Sequence, residues 1–538
     1  MSLPTQRLHD LDALRAFAML LGIVLHALLS FTGQWWIVRD TSSSPLFQWI
    51  VEAIHGFRMP LFFLLSGFFT AMLWNRRGPA DLLRQRTLRI VLPLMIGMVT
   101  IIPLMWTSVG LAFRLSPEPP ELGELWSAAA EGDTQTVVGL VATGADIDAL
   151  DPEHGLAPLA YASLFQRTET MTALLGLGAD VNVRTSDGDT CLHTAAFFGL
   201  DRSARVLIDA GADTTLLNRS GSTPMLTMLA PKEITVAFGA ELGYDDWDAI
   251  VAGRERIAAM LTDLAPQPPP DANAQPTRAP WRDTLERLMA RDVFAHLWFL
   301  WFLCWLLAAF ASAMPIVRLF PRPPRALLAS GLCLLWLLPL TWVFQRLMHS
   351  GGFGPDTSTG LIPMPHVLGY YAVFFGFGAL LFTSDGAIRA LTRRWWVYAL
   401  LGAGAFLLSH ELREGSSIAA MLGGDSVVAL IEDAAQVTYT WCTSLALIGI
   451  FGVVFSRERY WVRFASDSSY WLYLVHLPLV IVGQALARLM TLPALVEASV
   501  LIASVTLVLL VSYRYAVRYT PVGTLLNGKR TRRAGPSI

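Results

Sequence analysis

The sequence predicts an all-α protein: a polytopic membrane helix bundle of about ten transmembrane helices with a soluble α-helical repeat domain inserted in it. Three observations support this. The 538-residue chain is 54% apolar and only 15% charged, with a mean hydropathy of +0.48, which is too apolar for a soluble globular protein. Apolar stretches of spanning length recur towards both ends of the chain. A charged segment with a short internal period separates them.

Ten stretches have the roughly 20 apolar residues that a helix needs to cross the hydrocarbon core. We expect the spans at 12–31, 48–74, 88–113, 294–313, 326–345, 365–384, 395–410, 436–456, 468–489 and 493–513. The first stretch differs from a cleaved signal peptide because it carries Asp12, Arg15 and His26 and lacks a small-residue cleavage pattern after it. We therefore predict that it is retained as a helix of the bundle.

Basic residues are distributed unequally between the two sets of connecting loops. They cluster after the second, fourth, sixth and eighth spans and in the tail: Arg76, Arg77, Arg84, Arg86, Arg89; Arg318, Arg322, Arg325; Arg389, Arg393, Arg394; Arg457, Arg459, Arg463; Lys529, Arg530, Arg532, Arg533. The opposite loops hold few, such as Arg39 and Arg413. The positive-inside rule therefore predicts a multi-pass protein with both termini in the cytoplasm.

The segment between the third and fourth spans differs chemically from the rest. Residues 117–265 hold about 23 acidic and 8 basic residues, a net charge near −15, which leaves near +13 for the remainder. The four cysteines form no CxxC pair, so neither a disulfide framework nor a metal site is expected. No phosphate-binding or nucleic-acid-binding motif is present, and we expect no nucleic-acid partner.

This segment repeats itself. Gly155, Gly188 and Gly221 are spaced 33 residues apart, and a Thr-Cys-Leu-His-Thr-Ala run begins at Thr190. Period and motif together resemble the ankyrin-repeat family. Three units are expected at 124–154, 155–187 and 188–220, and a fourth, from Gly221, departs from the pattern as a capping repeat would.

The ankyrin resemblance implies a docking or regulatory role with a possible protein partner, and no chemistry. Because the third span leaves the cytoplasm, we predict that the repeats lie on the periplasmic side. The expected domains are a first membrane part, the ankyrin-repeat domain, a Pro-rich tether, a second membrane part and a basic cytoplasmic tail: 1–113, 117–265, 266–293, 294–520 and 521–538.

The first span carries a stripe of ionisable residues. Arg15 and His26 are eleven residues apart, which returns to within about 20° of the same azimuth, so both project from one face roughly 16 Å apart. Asp12 lies near that face and can pair with Arg15. Gly22 leaves space there for an extended ligand or a packed helix. Because a charge stranded in lipid is costly, we favour a functional site over a structural histidine.

Other spans carry polar side chains too. His55 and Arg58 lie in the second span, His296 in the fourth and His476 in the ninth. A bundle that encloses these groups needs a polar cavity. We expect Arg58, His296 and His476 to be secondary site residues, which orient an acceptor, stabilise an oxyanion or form buried hydrogen bonds.

Three motifs resemble one known family. They are Asp12-Ala13-Leu14-Arg15-Ala16 with His26, the Pro-Leu-Phe-Phe-Leu-Leu-Ser-Gly block from Pro60, and the Ser-Ser-Tyr-Trp-Leu-Tyr-Leu-Val-His run from Ser468. Together they resemble the acyltransferase-3 family of integral membrane O-acyltransferases, over both membrane parts. Tyr370-Tyr371 and the Phe-Phe-Gly-Phe-Gly run from Phe374 are most similar to the branch that modifies periplasmic glucans.

The resemblance implies a protein of the bacterial plasma (inner) membrane that transfers an acyl group, acetyl or succinyl, from acyl-CoA to a hydroxyl of an extracytoplasmic glycan, with no metal. Arg15 and His26 stand at the family's arginine and histidine, and Arg86 and Arg89 at its arginines for the CoA phosphates, although both also fit simple positive-inside anchors. A neutral imidazole, with a pKa of about 6.5, can act as a general base towards the hydroxyl. It can also accept the acyl group as a nucleophile, and both roles stay open.

Two other classes of function fit the same chain. A transporter or flippase for sugars or acylated substrates also encloses charges in a membrane bundle, but no repeat relates the two membrane parts. A membrane-anchored ankyrin sensor would need neither the buried arginines nor the histidines.

Overall fold

The structure is a computed structural model. It describes residues 9–32, 36–38, 40, 43–115, 123–151, 154–185, 188–218, 222–230, 232–239, 242–263, 288–289, 293–317, 319, 321, 323–348, 352–384, 386–413, 425–457, 459–490 and 492–527. Most of these residues are helical, and one isolated β-bridge joins Arg184 to Thr190. The tether predicted at 266–293 and the basic residues 529–533 fall almost entirely outside the described residues.

Three helices precede the insert: α1 (His9–Leu28), α2 (Pro45–Arg86) and α3 (Leu92–Leu115). Nine helices lie in the described part of the insert: α4 (Glu124–Glu131), α5 (Thr134–Ala142), α6 (Pro158–Leu164), α7 (Thr168–Gly176), α8 (Cys191–Phe198), α9 (Asp201–Asp209), α10 (Pro224–Thr227), α11 (Lys232–Gly239) and α12 (Trp247–Asp263).

Among the described residues, the second membrane part contains ten helices. They are α13 (Trp298–Val317), α14 (Arg325–Ala329), α15 (Leu334–Gln345), α16 (Pro365–Thr383), α17 (Ala387–Leu391), α18 (Trp395–Arg413), α19 (Asp425–Val454), α20 (Tyr460–Ala487), α21 (Ala494–Ser512) and α22 (Pro521–Asn527).

A helix covers most of each of the ten predicted spans, which confirms the all-α membrane bundle. Seven helical segments of the described chain are long and apolar enough to cross a membrane, and one of them, Pro45–Leu115, is long enough for two spans. The span predicted at 326–345 falls largely on α15, which is shorter than these seven segments. The span predicted at 395–410 falls on α18, whose hydropathy is lower than theirs. The chain is therefore a multi-pass membrane protein.

The connection between the second and third spans is itself helical. Gly78, with φ 84° and ψ 173°, breaks the regular backbone just before Pro79, and a π-helical turn at Thr87–Val91 follows. The loop predicted to carry Arg76 to Arg89 is thus a bent helix. This bend holds the arginine side chains at one end of the bundle.

Glycines allow α2 and α16 to cross at close range. A Cβ on Gly67 would lie 1.9 Å from the carbonyl oxygen of Phe375, and one on Gly378 would lie 1.9 Å from that of Leu64. Any side chain at either position would push the two helices apart. The crossing places Arg58 and Phe62, on the same helix as Gly67, against the centre of the bundle.

The insert is a solenoid of stacked helix pairs. Helices α4–α5, α6–α7 and α8–α9 pack within pairs, and equivalent helices of successive pairs pack on one another. His193 completes a capping box with Thr190 at the start of α8, and its Nε2 lies 2.9 Å from the carbonyl oxygen of Ser222 in the next repeat. Its role is structural.

Candidate active site

His26 lies in the last turn of α1, where two other helices bring histidines towards it. The Nδ1 atom of His26 is 2.8 Å from the carbonyl oxygen of Gly22 and 3.0 Å from Nε2 of His476 in α20. His296, just before α13, has its ring centroid 5.7 Å from that of His476. Three histidines from distant parts of the sequence therefore form one group, the histidine cluster.

Hydrogen bonds within the cluster indicate which nitrogen of His26 carries the proton. Nδ1 of His476 lies 2.8 Å from the carbonyl oxygen of Tyr473, which can only accept, so Nδ1 of His476 donates and its Nε2 accepts. Both partners of His26 Nδ1 are then acceptors, and this nitrogen holds the proton of the neutral ring. Nε2 of His26 keeps its lone pair, which a base or a nucleophile needs.

Arg58 lies directly against α1. A Cβ on Gly22 would lie 2.4 Å from Nη1 of Arg58, so the glycine lets the guanidinium approach the helix. Of the two alternatives predicted for Gly22, an extended ligand or a packed helix, the structure favours the packed helix, because an arginine from α2 occupies the space. This places a permanent positive charge beside the histidine cluster.

The histidine cluster and Arg58 line a small cavity of about 50 Å³, the histidine chamber. Met19, Phe62, Phe299 and Tyr473 form part of its wall. The volume suits a few water molecules or a small reacting group. The three predicted secondary residues, Arg58, His296 and His476, are therefore brought together with His26.

Arg15 lines a different and larger cavity of about 540 Å³, the arginine cavity. Its guanidinium donates to Ser466 Oγ at 3.0 Å and lies 3.6 Å from the carboxylate of Asp12, as predicted for that pair. Arg86 and Arg89 line the same cavity, and Arg86 donates to Thr70 Oγ1 at 3.1 Å. Three predicted arginines thus converge there.

Four residues line both cavities: Met19, Phe62, Phe299 and Tyr473. Arg15 and His26 share a helix face but open into neighbouring chambers, separated by these side chains. A third cavity of about 910 Å³ lies beyond Arg89, which lines it as well as the arginine cavity. Arg77 and Arg84 line this outer pocket, and α22 forms part of its wall.

Sequence reasoning missed two residues beside His26. Gln484 donates from Nε2 to the carbonyl oxygen of His26 at 2.8 Å. Trp36 donates from Nε1 to Gln484 Oε1 at 3.0 Å, and its ring stacks on that of His26 with centroids 6.0 Å apart. Gln484 could have been found as a polar residue in an apolar span. Trp36 lies in a connection and gives no comparable signal.

His55 stands apart from this group. Its Nε2 lies 3.2 Å from the carbonyl oxygen of Pro355, and it does not line the small cavity. Within the part of the chain that the structure describes, no three side chains of metal-ligating type are grouped so as to hold a metal ion.

Comparison with known families finds two profiles that match this chain. The profile described as "Acyltransferase domain" (acyltransferase 3) matches residues 8–127 and 276–513, more than half of the chain. A second profile, "Ankyrin repeats (3 copies)", matches residues 125–218.

Curated relatives are similar over shorter segments. "Glucans biosynthesis protein C" of Escherichia coli (strain K12) is 38% identical over 102 residues, 19% of this chain and 26% of the relative. The protein of the same name from Shigella dysenteriae serotype 1 (strain Sd197) gives the same values. The chain thus spans about a quarter of the length of these relatives.

The repeats have relatives of their own. "B-cell lymphoma 3 protein homolog" of Mus musculus is 31% identical over 153 residues, 28% of this chain and 31% of the relative. The crystal structure of the ankyrin repeat domain of Bcl-3 is 36% identical and covers 19% of this chain and 45% of that one, with a TM-score of 0.19.

Proposed function

The chain belongs to the acyltransferase domain family, and we propose that it transfers an acyl group from acyl-CoA to a hydroxyl of an extracytoplasmic glycan. The observation that carries this proposal is the series of three adjoining cavities. A basic outer pocket meets the arginine cavity at Arg89, and the arginine cavity meets the histidine chamber at Met19 and Phe62. A long donor with phosphates at one end and a thioester at the other suits such a series.

The arginines suit the phosphate end of the donor. Arg77 and Arg84 would receive the nucleotide in the outer pocket, and Arg86 and Arg89 the phosphates nearer the bundle. Guanidinium groups bind phosphate oxygens through paired, permanently charged donors. The pantetheine arm would then occupy the arginine cavity beside Arg15. Asp12 and Ser466 hold the guanidinium of Arg15 in place.

The histidine cluster suits the chemistry. Nε2 of His26 takes the proton of the acceptor hydroxyl as its oxygen attacks the thioester carbonyl, the carbon–sulfur bond breaks, and the imidazolium returns the proton to the CoA sulfur. His476 accepts from Nδ1 and stabilises the charged ring, while Arg58 stabilises the oxyanion. In the nucleophilic alternative, Nε2 carries the acyl group before the sugar hydroxyl takes it.

The proposal that the acceptor is a glycan rests on the resemblance to glucans biosynthesis protein C. The distribution of basic residues would put the termini and the basic outer pocket in the cytoplasm and the ankyrin repeats in the periplasm. The donor and the acceptor would then reach His26 from opposite sides. The repeats would add a docking site for a protein partner.

Purified protein in liposomes, supplied with labelled acyl-CoA and a periplasmic-type glucan, tests the proposal. We expect acylated glucan and free CoA to form only when both substrates are present. Mass spectrometry of the glucan and a thiol assay measure the two products. Movement of glucan across the bilayer without acylation would identify a transporter instead, and the acyltransferase proposal would be abandoned.

A further inference from the structure

The ankyrin repeats contact the membrane bundle through their irregular last repeat. Helix α11 packs against α3, the span that leads into the insert. The rings of Phe238 in α11 and Phe113 in α3 lie 5.2 Å apart and meet edge to face. The repeat that departs from the ankyrin pattern therefore touches the membrane part.

Arg254 fixes α11 to the rest of the repeats. Its guanidinium is buried and donates to the carbonyl oxygen of Ala230 at 3.0 Å, to Thr235 Oγ1 at 2.7 Å and to the carbonyl oxygen of Phe197 at 3.1 Å. Burial lowers the pKa of Arg254 to about 10, so the group stays charged at neutral pH. Because three segments share one side chain, α11 is tied to α8 and α12.

Helix α3 carries the contact into the bundle. Near Phe113, its residues Met105 and Val109 are buried in an apolar cluster together with Leu477 and Ile481 of α20. Leu477 directly follows His476 in the sequence. The outer end of α3 therefore supports the helix that supplies the hydrogen-bond partner of His26.

Trp36 packs on the same apolar cluster and continues it to His26. Its ring stacks on His26, and its indole N–H holds Gln484. Gln484 in turn donates to the carbonyl oxygens of His26 and Ala27, at 2.8 and 3.2 Å. Gln484, held by Trp36, thus satisfies two carbonyl oxygens at the end of α1 from which the imidazole projects.

We propose that the ankyrin-repeat insert is a positioning element of the acyl-transfer site, which acts through Phe238, Phe113 and Trp36 to hold His26 in place. The inference rests on the proposed function and adds that the insert supports turnover as well as any partner binding. A displacement of about 1 Å at a reacting group can cost on the order of 100-fold in rate, so bracing from outside the site has a measurable effect.

Cross-linking tests the docking without reference to activity. The full chain carrying Phe113→Cys and Phe238→Cys is treated with a short bis-maleimide, and linked peptides are identified by mass spectrometry. The matched control replaces Phe238→Cys by Val138→Cys, at an exposed position of α5. We expect a link in the first protein and none in the control. No link in either, or equal links in both, would overturn the docking.

Kinetics test the positioning. We expect Phe238→Asp to lower kcat about tenfold while KM for acyl-CoA stays unchanged, because no residue of α11 lines the arginine cavity or the outer pocket. Phe113→Asp should give the same defect from the membrane side, and Val138→Asp should give none. Trp36→Ala should lower kcat similarly, Trp36→Phe should retain most of it, and Phe238→Asp with Trp36→Ala should be no worse than either alone.

Full kcat in Phe238→Asp, an equal loss in Val138→Asp, or additive losses in the double variant would each contradict the positioning role. An unsubstituted protein that acylates nothing would instead contradict the proposed function. The cross-linking result would stand in that case, so the two failures are distinguishable.

Discussion

The arginine cavity and the histidine chamber are neighbours with opposite designs. The arginine cavity holds about 540 Å³, adjoins a still larger basic pocket, and is lined by side chains that carry fixed positive charge. The histidine chamber holds about 50 Å³, and its three histidines are hydrogen-bonded to one another or to backbone carbonyls. The difference supports the proposal that one region binds the anionic donor and the other holds the reacting groups. Substitutions in the two regions should therefore alter different kinetic constants.

Loss of the imidazole should have the largest effect. We expect His26→Ala to lower kcat by about 10²- to 10⁴-fold, because the base or nucleophile is gone. The same loss should be seen with acyl-CoA and with an acyl-N-acetylcysteamine, which lacks the nucleotide. His55→Ala, which removes a half-buried histidine of α2 outside the chamber, is the control and should keep most of the activity. Substantial transfer by His26→Ala would remove the distinction between the regions.

Loss of an arginine should change donor affinity. We expect Arg89→Ala to raise KM for acyl-CoA by about 10- to 100-fold, since a charged hydrogen bond to phosphate is worth about 1.5–3 kcal/mol. KM for the N-acetylcysteamine thioester should not change. Arg389→Ala, an exposed arginine that lines none of the three cavities, is the matched control. An equal rise for both donors would show that Arg89 serves folding or topology.

Loss of His476, which accepts a hydrogen bond from Nδ1 of His26, should have a moderate effect on kcat. We expect His476→Ala to lower kcat about tenfold with KM for acyl-CoA unchanged, which corresponds to one lost hydrogen bond to the charged ring. His476→Gln restores an acceptor oxygen and should recover part of the rate. If the two variants are equally active, His476 does not act through His26.

Filling the outer pocket should have the smallest effect. Thr524 is exposed on α22 and lines that pocket, so Thr524→Trp should raise KM for acyl-CoA a few-fold by excluding part of the nucleotide. Transfer from acyl-N-acetylcysteamine should be unaffected. Binding of adenosine 3′,5′-bisphosphate, followed by isothermal calorimetry, should weaken in parallel. Unchanged binding would separate this pocket from the donor.

Local patterns predicted much of this molecule. The length of the apolar stretches located the ten predicted spans, and the 33-residue period located the repeats. Helical periodicity placed Arg15 and His26 on one face of α1. These features depend on residues close together in the chain. The helical link that carries Arg86 and Arg89 was predicted as a loop, because its bend depends on Gly78 and on a π-turn.

Contacts between distant segments could not be predicted in the same way. His476 and Gln484 lie about 450 residues from His26, and nothing in their spacing shows that they meet it. The separation of Arg15 from His26 depends on side chains such as Met19 and Phe62, which packing alone determines. Helix α22, within the segment predicted to be a basic tail, became a cavity wall for the same reason.

The central claim is that one donor molecule extends through both regions. A cryo-electron microscopy structure of the full chain with a non-hydrolysable acyl-CoA analogue tests it most directly. We predict phosphate density beside Arg89 and the acyl carbonyl within reach of Nε2 of His26. An analogue bound with its acyl end away from the histidine chamber, in a protein that is active with acyl-CoA, would contradict the account.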